Sequence, residues 1–403
     1  MSFTRPITTP INTRSSQWPP FIYAEASGAD WVCYEESDLF SPSLPAALGT
    51  NLLNTPTGVH AKFMGLHCPT YTPAGIAINT ARSHDMVAGS GAEASKKWRD
   101  MNPSDGVFVD AGLGAWLTRM KSAGADVIYT VLGTPAWASA RPSETGDPYG
   151  NLGAIAEPAN MAKLGAFVTW LMTTYGSQID YLEVWNEPKY TNTGNSFFSG
   201  TASKLAEIAK TINQAAKAVK PSIQILGVGC TGLFTFDGLA DAGITHTNSF
   251  LAASDGAGGF GKDWIDILSV HTYANDGTNN LRYVPDSKTH LDVIRTSNGI
   301  LGKPVWCTEY GYVTPEFGLY RGPTEGQIKA QVRYALQHVA AGMQRCVLYA
   351  YARTGMNWPA GEAGVPEWNR WCSIINGSTI SVINRIGPRG HLACVINGQN
   401  YIV

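Results

Sequence analysis

Residues 180–189 read D-Y-L-E-V-W-N-E-P-K. Tyr181 to Trp185 is a short apolar run with two β-formers, the pattern of a buried parallel strand. It ends in Asn186-Glu187-Pro188, where the proline removes a ladder donor and stops the strand. A carboxylate at the carboxyl end of a parallel strand is where barrel enzymes place their chemistry. The stretch therefore sets two requirements on the rest of the chain: strands enough to close a barrel, and a second carboxylate to work with Glu187.

The strands are present. Strand-like runs at 62–67, 81–85, 126–132, 181–185, 223–228, 265–271, 304–308 and 346–351 alternate with helix-like segments, the order of a parallel α/β architecture. Asp110 is placed to cap a helix over 111–122 closed by Gly124. Pro158 opens a segment running to Tyr175 and Gly176. Leu205, Ile208, Ile212, Ala216 and Val219 form an apolar stripe ended by Pro221. Thr324 begins a T-E-G-Q capping box for a last barrel helix. The fold expected is α/β: a (β/α)8 TIM barrel over 59–371, preceded by a Pro-, Ser- and Thr-rich extension over 1–58. Short β segments over 372–403 (373–375, 380–383 and 392–396) join the extension in a small β-rich side module formed by the chain termini. Thirty residues are too few for a core of their own. Long loops follow the fifth and eighth strands, and both belong on the catalytic face.

Bulk properties exclude several functions. A formal net charge of −2 with 15% charged residues in 403 argues against a nucleic-acid binder and a polybasic membrane docker. No apolar run reaches the roughly 18 residues of a transmembrane helix. The start, M-S-F-T-R-P, lacks a hydrophobic signal core. The expectation is a soluble protein, either cytoplasmic or exported by a route the sequence does not display. The seven cysteines include no C-x-x-C pair, so neither a disulfide framework nor a zinc site is expected. Cys372 and Cys394 flank an expected hairpin and are the one pair placed to bridge. His and Cys spacings suggest no metal site, and no cofactor is expected. G-A-G-G-F-G at 256–261 lacks the strand-then-helix context of a phosphate loop and reads as a rim loop. The 12 Trp and 17 Tyr divide between core filling and the flat surfaces on which sugar rings stack.

The second carboxylate is Glu309, in K-P-V-W-C-T-E-Y-G-Y at 303–312. It also follows a short apolar β run, and by strand count it ends the seventh strand as Glu187 ends the fourth. Two carboxylates facing each other across a bond meet the requirement of glycoside hydrolysis, one protonated to release the leaving oxygen and one ionised to attack. Barrel-strand ends hold them at a fixed distance, and their mutual repulsion favours one proton between them.

Together, W-N-E-P at 185–188 and T-E-Y-G at 308–311 resemble the clan A retaining glycoside hydrolases over roughly residues 62–353. R-S-H-D at 82–85, G-T-P-A-W-A at 133–138 and D-I-L-S-V-H-T-Y at 266–273 point toward family 39, the β-xylosidase and exopolysaccharide-hydrolase group. The resemblance implies Glu187 as acid/base and Glu309 as nucleophile. It implies Asn186 on the sugar 2-hydroxyl, Tyr273 donating to Glu309, His271 lining the site, Arg82 keeping Glu309 ionised and Trp137 flooring a subsite. Strand-two alternation puts His84 beside Arg82. His67 and Trp98 each have a subsite reading and a core reading. Clan members place a Trp after strand eight; here Tyr349 and Tyr351 stand there, with Trp358 in the following loop as the candidate replacement. Trp358, Trp368 and Trp371 otherwise bury that loop.

A family β-sandwich is not evident, which favours the polysaccharide-hydrolase branch. The expected activity is hydrolysis of β-glycosidic bonds in an oligo- or polysaccharide, endo-acting along a long-looped cleft. The alternatives are an exo-acting β-xylosidase-like enzyme and a non-catalytic carbohydrate-binding barrel. Sugar identity and oligomeric state are not legible from these residues.

Overall fold

A computed structural model of the chain describes residues 23–27, 30–34, 51–67, 75–84, 97–191, 196–231, 242–275, 284–313, 324–349, 364–386 and 391–403. Eight parallel strands close a barrel: β1 Met64–His67, β2 Thr80–Ser83, β3 Asp126–Val131, β4 Tyr181–Val184, β5 Gln224–Cys230, β6 Ile267–Asn275, β7 Val305–Val313 and β8 Arg345–Leu348. Each pairs with its sequence neighbours, and β8 returns to β1 through Cys346–Met64 and Leu348–Leu66. All eight expected strands are there; Glu187 stands three residues beyond the end of the fourth, whereas Glu309 lies within the seventh, which runs four residues past it rather than ending there as expected.

Among the described residues, besides the single-turn helix Trp98–Met101, seven longer helices surround or flank the strands: α1 Leu113–Ser122, α2 Met161–Tyr175, α3 Ala202–Val219, α4 Ala242–Ala252, α5 Val284–Ser297, α6 Thr324–Ala340 and α7 Val365–Ile375. Their ends follow local chemistry. Asn160 caps α2 by accepting from the Ala162 amide at 2.9 Å, so the helix starts three residues after Pro158. Thr201 caps α3 by accepting from Lys204 N, and Pro221 follows its end. Asp110 accepts from the amide of Gly114, the second residue of α1, which begins at Leu113 rather than at 111.

Strand alternation sorts the core. On β3, Val127, Tyr129 and Val131 join the large apolar cluster under the helices, whereas Ile128 belongs to a separate small cluster with Leu226, Ile267, Trp306 and Val347. These inward residues fill the amino-terminal end of the barrel, as side-chain layers do in this fold. Arg345 lies in that layer. It donates to Thr80 Oγ1 (2.9 Å) and Tyr181 Oη (3.0 Å), pairs with Asp126 at 2.7 Å, and lies over the Trp306 ring at 4.4 Å. Thr272, Cys307 and His338 form another buried polar group between β6, β7 and α6.

The chain termini share one antiparallel sheet. Thr379–Ile386 pairs with Asn51–Leu53 and Thr57–Gly58 on one side and with His391–Ile396 on the other; Gln399–Ile402 completes the sheet. Asn397 and Gly398, both at positive φ, make the tight turn between the last two strands. Tyr23–Ser27 and Asp30–Tyr34 form a separate two-stranded hairpin.

Two expectations are corrected. The 373–375 segment is the last turn of α7, not a strand. Trp368, Trp371, Cys372 and Ile375 recur at helical spacing and are all buried, and burial of that stripe outweighs the local β preference of Ser-Ile-Ile. Trp368 and Trp371 are thus core residues; Trp358 lies outside the described residues. The 256–261 glycine stretch follows α4 and precedes β6, so it sits at the amino-terminal end of the barrel, away from the catalytic rim. Asp255 pins it by accepting from Ala257 N and Gly259 N. Buried Cys372 and Cys394 are free thiols. Among the described residues no helix is long and apolar enough to cross a membrane.

Replacing Arg345 by Met keeps the volume but strips the buried layer of its cation. Breaking a buried pair costs roughly 3–5 kcal/mol; Asp126 keeps Lys62 at 2.6 Å, so the expected loss is about 2–3 kcal/mol. A lower denaturant midpoint at unchanged slope is the expected outcome, and a midpoint like wild type would contradict it.

Candidate active site

Above the apolar layer, the barrel interior turns ionic. Arg82 on β2 is fully buried, and its guanidinium reaches three residues on two other strands. Nε donates to Glu183 Oε2 at 2.6 Å, Nη2 donates to Asn186 Oδ1 at 2.9 Å, and Nη1 bonds Glu309 Oε1. Burial opposes the charge on Arg82, but Glu183 and then Glu309 raise its pKa still further above the ordinary value. Glu183 is itself fully buried at an inward position of β4. Its Oε2 also accepts from Thr130 Oγ1 (2.8 Å), and its Oε1 accepts from Thr308 Oγ1 (2.6 Å). Burial alone would raise the Glu183 pKa; Arg82 foremost, then His271 and the Thr308 hydroxyl, hold it below the ordinary value.

Glu187 leaves β4 through a strained turn. Trp185 and Glu187 both have positive φ, 61° and 40°, a conformation that L-residues seldom adopt and that recurs at functional sites. The turn is fixed from both sides. Trp185 Nε1 donates to Phe197 O at 2.7 Å, and the Glu187 amide donates to Gly229 O on β5 at 3.2 Å. The Glu187 side chain keeps 18% exposure, whereas that of Glu309 keeps 4%, so the first faces the cleft and the second stands deeper.

His271 on β6 lies between the carboxylates. Its Nδ1 is 2.8 Å from Glu187 Oε1 and 3.7 Å from Glu309 Oε2. One carboxylate oxygen of each glutamate and a His271 nitrogen all fall within 4.8 Å of one another. Burial pushes the His271 imidazole down to about 4, against the pull of Glu309, so it is neutral near pH 7. Gly229 makes this placement possible: at φ +57° it presents no side chain, and a Cβ there would come within 2.8 Å of His271 Nε2.

His84 shares the inward face with Arg82, as strand alternation predicts. Its Nδ1 is 3.6 Å from Glu309 Oε1, and burial, then Arg82, push its pKa well below the ordinary value. His67 packs its ring edge-on against His84 at 5.2 Å and against Tyr349 at 4.8 Å. Phe197 and Tyr149 extend an aromatic wall away from His84.

The expected site residues thus divide in three. Glu187, Glu309, Asn186, His271, Arg82 and His84 converge. Trp137 lies after β3, half-buried, donating through Nε1 to Asn102 O at 2.8 Å. Tyr273 contributes backbone to β6, but its side chain, like all of Trp358, lies outside the described residues. Trp98 belongs to the core, fully buried and stacked on Phe167. Missing from the expectation were Glu183, Thr130 and Thr308. The one local signal for Glu183 is a charge alternating inward with Tyr181 on β4, a position that a barrel fills only when the charge is paired; its partners are not encoded locally.

Two triads have metal-ligand geometry, His67–His84–Glu309 and Glu187–His271–Glu309. Both include Glu309, whose Oε1 is bound by the Arg82 guanidinium. A dication there would face a fixed buried cation, so the electrostatics oppose a metal in either triad.

His84, His271 and His338 are all neutral in the fold at pH 7, with His338 also pushed down by burial, to about 4. An unfolded imidazole takes up its proton near pH 6.5, whereas these folded ones refuse it until much lower pH. Stability is expected to fall as pH drops from 6.5 toward 4, because the unfolded chain binds more protons in that window. In denaturant titrations between pH 7 and 5, His338→Asn should remove about one proton's share of that slope; an unchanged slope would refute the assignment.

Residues 158–351 match the family described as glycosyl hydrolase catalytic core. The matched stretch contains both carboxylates and runs through β8, and its description does not single out family 39. No curated protein matches the sequence. Among solved structures, the chain is similar to a monomeric β-xylosidase from Caulobacter crescentus (TM-score 0.55, 15% identity, 84% of this chain and 74% of that one). It is also similar to a family 30 subfamily 8 xylanase from Clostridium acetobutylicum (0.52, 13%, 85% and 81%) and a glucosidase from Croceicoccus marinus (0.51, 13%, 89% and 79%). At such identities these three report a shared fold. Residues 158–351 carry the catalytic-core signature on that fold, and the chain is a glycoside hydrolase.

Proposed function

We propose that the enzyme is a retaining β-glycosidase of the clan A type, nearest in motif to family 39, cutting a polysaccharide internally by double displacement. The observation that carries this reading is the approach of Glu187 and Glu309 oxygens to within 4.8 Å. Retaining glycosidases hold their carboxyl groups about 5–5.5 Å apart, whereas inverting ones leave about 6.5–9.5 Å for a water. Direct attack by a carboxylate suits the shorter spacing.

In the first step Glu309 attacks C1 while Glu187 gives its proton to the departing oxygen, leaving the sugar esterified to Glu309. In the second, Glu187 takes a proton from water, the water oxygen bonds to C1, and the Glu309 carboxylate leaves. Arg82 holds Glu309 ionised and aimed. By accepting from Arg82 through Oδ1, Asn186 turns its amide N–H2 toward the sugar, where a bond to the 2-hydroxyl strengthens in the transition state. Neutral His271 contacts Glu187 without adding a positive charge that would hold it deprotonated. Phe197 and Tyr149 supply ring surface along one wall, and Trp137 is the proposed floor of a further subsite, consistent with several sugar units in line.

The neighbours' names, glucosidase, xylanase and β-xylosidase, make glucans and xylans the first substrates to try, beside aryl β-glycosides and bacterial exopolysaccharides. General acid catalysis contributes roughly 10²–10⁴-fold. Glu187→Gln should lose about that much on polysaccharide and far less on aryl glycosides with good leaving groups; Glu309→Gln should lose both activities. Fresh product should carry the β anomer by proton NMR, as oligosaccharides rather than monosaccharide. Full activity in Glu309→Gln would overturn the assignment, and monosaccharide release alone would turn the reading to an exo-acting enzyme.

A further inference from the structure

We infer that Glu183 is a positioning residue for the reaction: it draws off part of the Arg82 charge, and so sets how strongly Glu309 is held. The inference rests on the reading of Glu309 as the attacking group. Its evidence is a division of labour within one guanidinium. Arg82 meets Glu183 through Nε, Glu309 through Nη1 and Asn186 through Nη2. A buried guanidinium facing one carboxylate would spend its whole field on it. Here two anions share it, so Glu309 keeps more of its basicity and attacks C1 more readily.

Glu183 is built for this task and for no other visible one. It is fully buried and lies below the cleft. Each of its oxygens is occupied, Oε1 by Thr308 and Oε2 by Thr130 and Arg82. Three strands besides its own thus fix a carboxylate whose removal from water is costly unless it is paired. Among the described residues, the groups shown facing Glu309 are Arg82 and His84 from β2, His67 from β1, His271 from β6 and Glu187 after β4. Among these described groups Arg82 is the one with a fixed positive charge, so what tunes Arg82 tunes Glu309.

The hydroxyls predict a shift of opposite sign. Thr130 and Thr308 neutralise part of the Glu183 charge by donating to it. Without one of them, Glu183 should pull harder on Arg82 and loosen its hold on Glu309.

The test is the titration of the Glu309 carboxyl in protein labelled with carbon-13 at the glutamate side chain, with the signal assigned by its loss in Glu309→Gln. In Glu183→Gln the Glu309 midpoint should move to lower pH, and in Thr130→Val to higher pH. The acid limb of kcat/KM on an aryl glycoside should follow in each case. Activity of Glu183→Gln should drop about 10–100-fold, the range for residues that orient a reacting group. Trapping of the enzyme by a 2-fluoro glycoside should slow in parallel. A merely structural Glu183 would lower the denaturation midpoint and leave the Glu309 titration in place; that result overturns the inference. Should Glu183→Gln fail to fold, an unmoved Glu309 midpoint in Thr130→Val overturns it equally. If the fluoro glycoside labels no glutamate at position 309 in wild type, the functional reading falls and this inference with it. Labelling with an unmoved midpoint removes the inference alone.

Discussion

One buried guanidinium holds the reactive end of this barrel together. Arg82 binds partners on β4, after β4 and on β7, so two strands distant in sequence are locked to a third, its own β2, by one planar group. Nothing else among the described residues bridges so many functional positions. Lysine could not replace it: an ammonium is a point charge, whereas the guanidinium offers donors in fixed directions that match three acceptors. The charge is costly to bury and is retained because both carboxylates lie against it.

The barrel separates stability from reactivity along its axis. At the amino-terminal end, Arg345 is stacked with Trp306 and paired with Asp126 within an apolar layer. That cation tightens the closure of the sheet. At the carboxyl end, Arg82 occupies a layer in which every polar neighbour has a direction relevant to the cleft. Two buried arginines thus have opposite relations to the chemistry, set by their height on the strands. The strained backbone at Trp185 and Glu187 belongs to the upper layer, where the surrounding bonds to Phe197 and Gly229 hold it in place.

Much of this was readable in the residues. The eight strands, the inward alternation of Arg82 and His84, and the convergence of Glu187 with Glu309 follow from period-two patterning and strand count. Glu183 was hidden because it sits inside an apolar run, V-W next to it, and its partners Thr130 and Thr308 lie 53 and 125 positions away. Side-chain pairing at that separation is set by barrel closure, which no local pattern encodes. The opposite error occurred at 373–375, where local β preference pointed to a strand and the Trp368–Trp371 stripe, buried by the fold, made a helix. His271 was placed in the site from its strand, but its position between the two carboxylates needed Gly229, a residue with no side chain to draw attention.

The side sheet has a temporal meaning. Thr379–Ile386 carries strands from both ends of the chain on its two edges. During synthesis the segment around Asn51–Leu53 emerges early and finds its partner only after the whole barrel has been made. Until then its backbone donors and acceptors present an open edge, the kind of surface on which chains associate wrongly. Completion of the side sheet therefore waits for residues 379–402 to leave the ribosome.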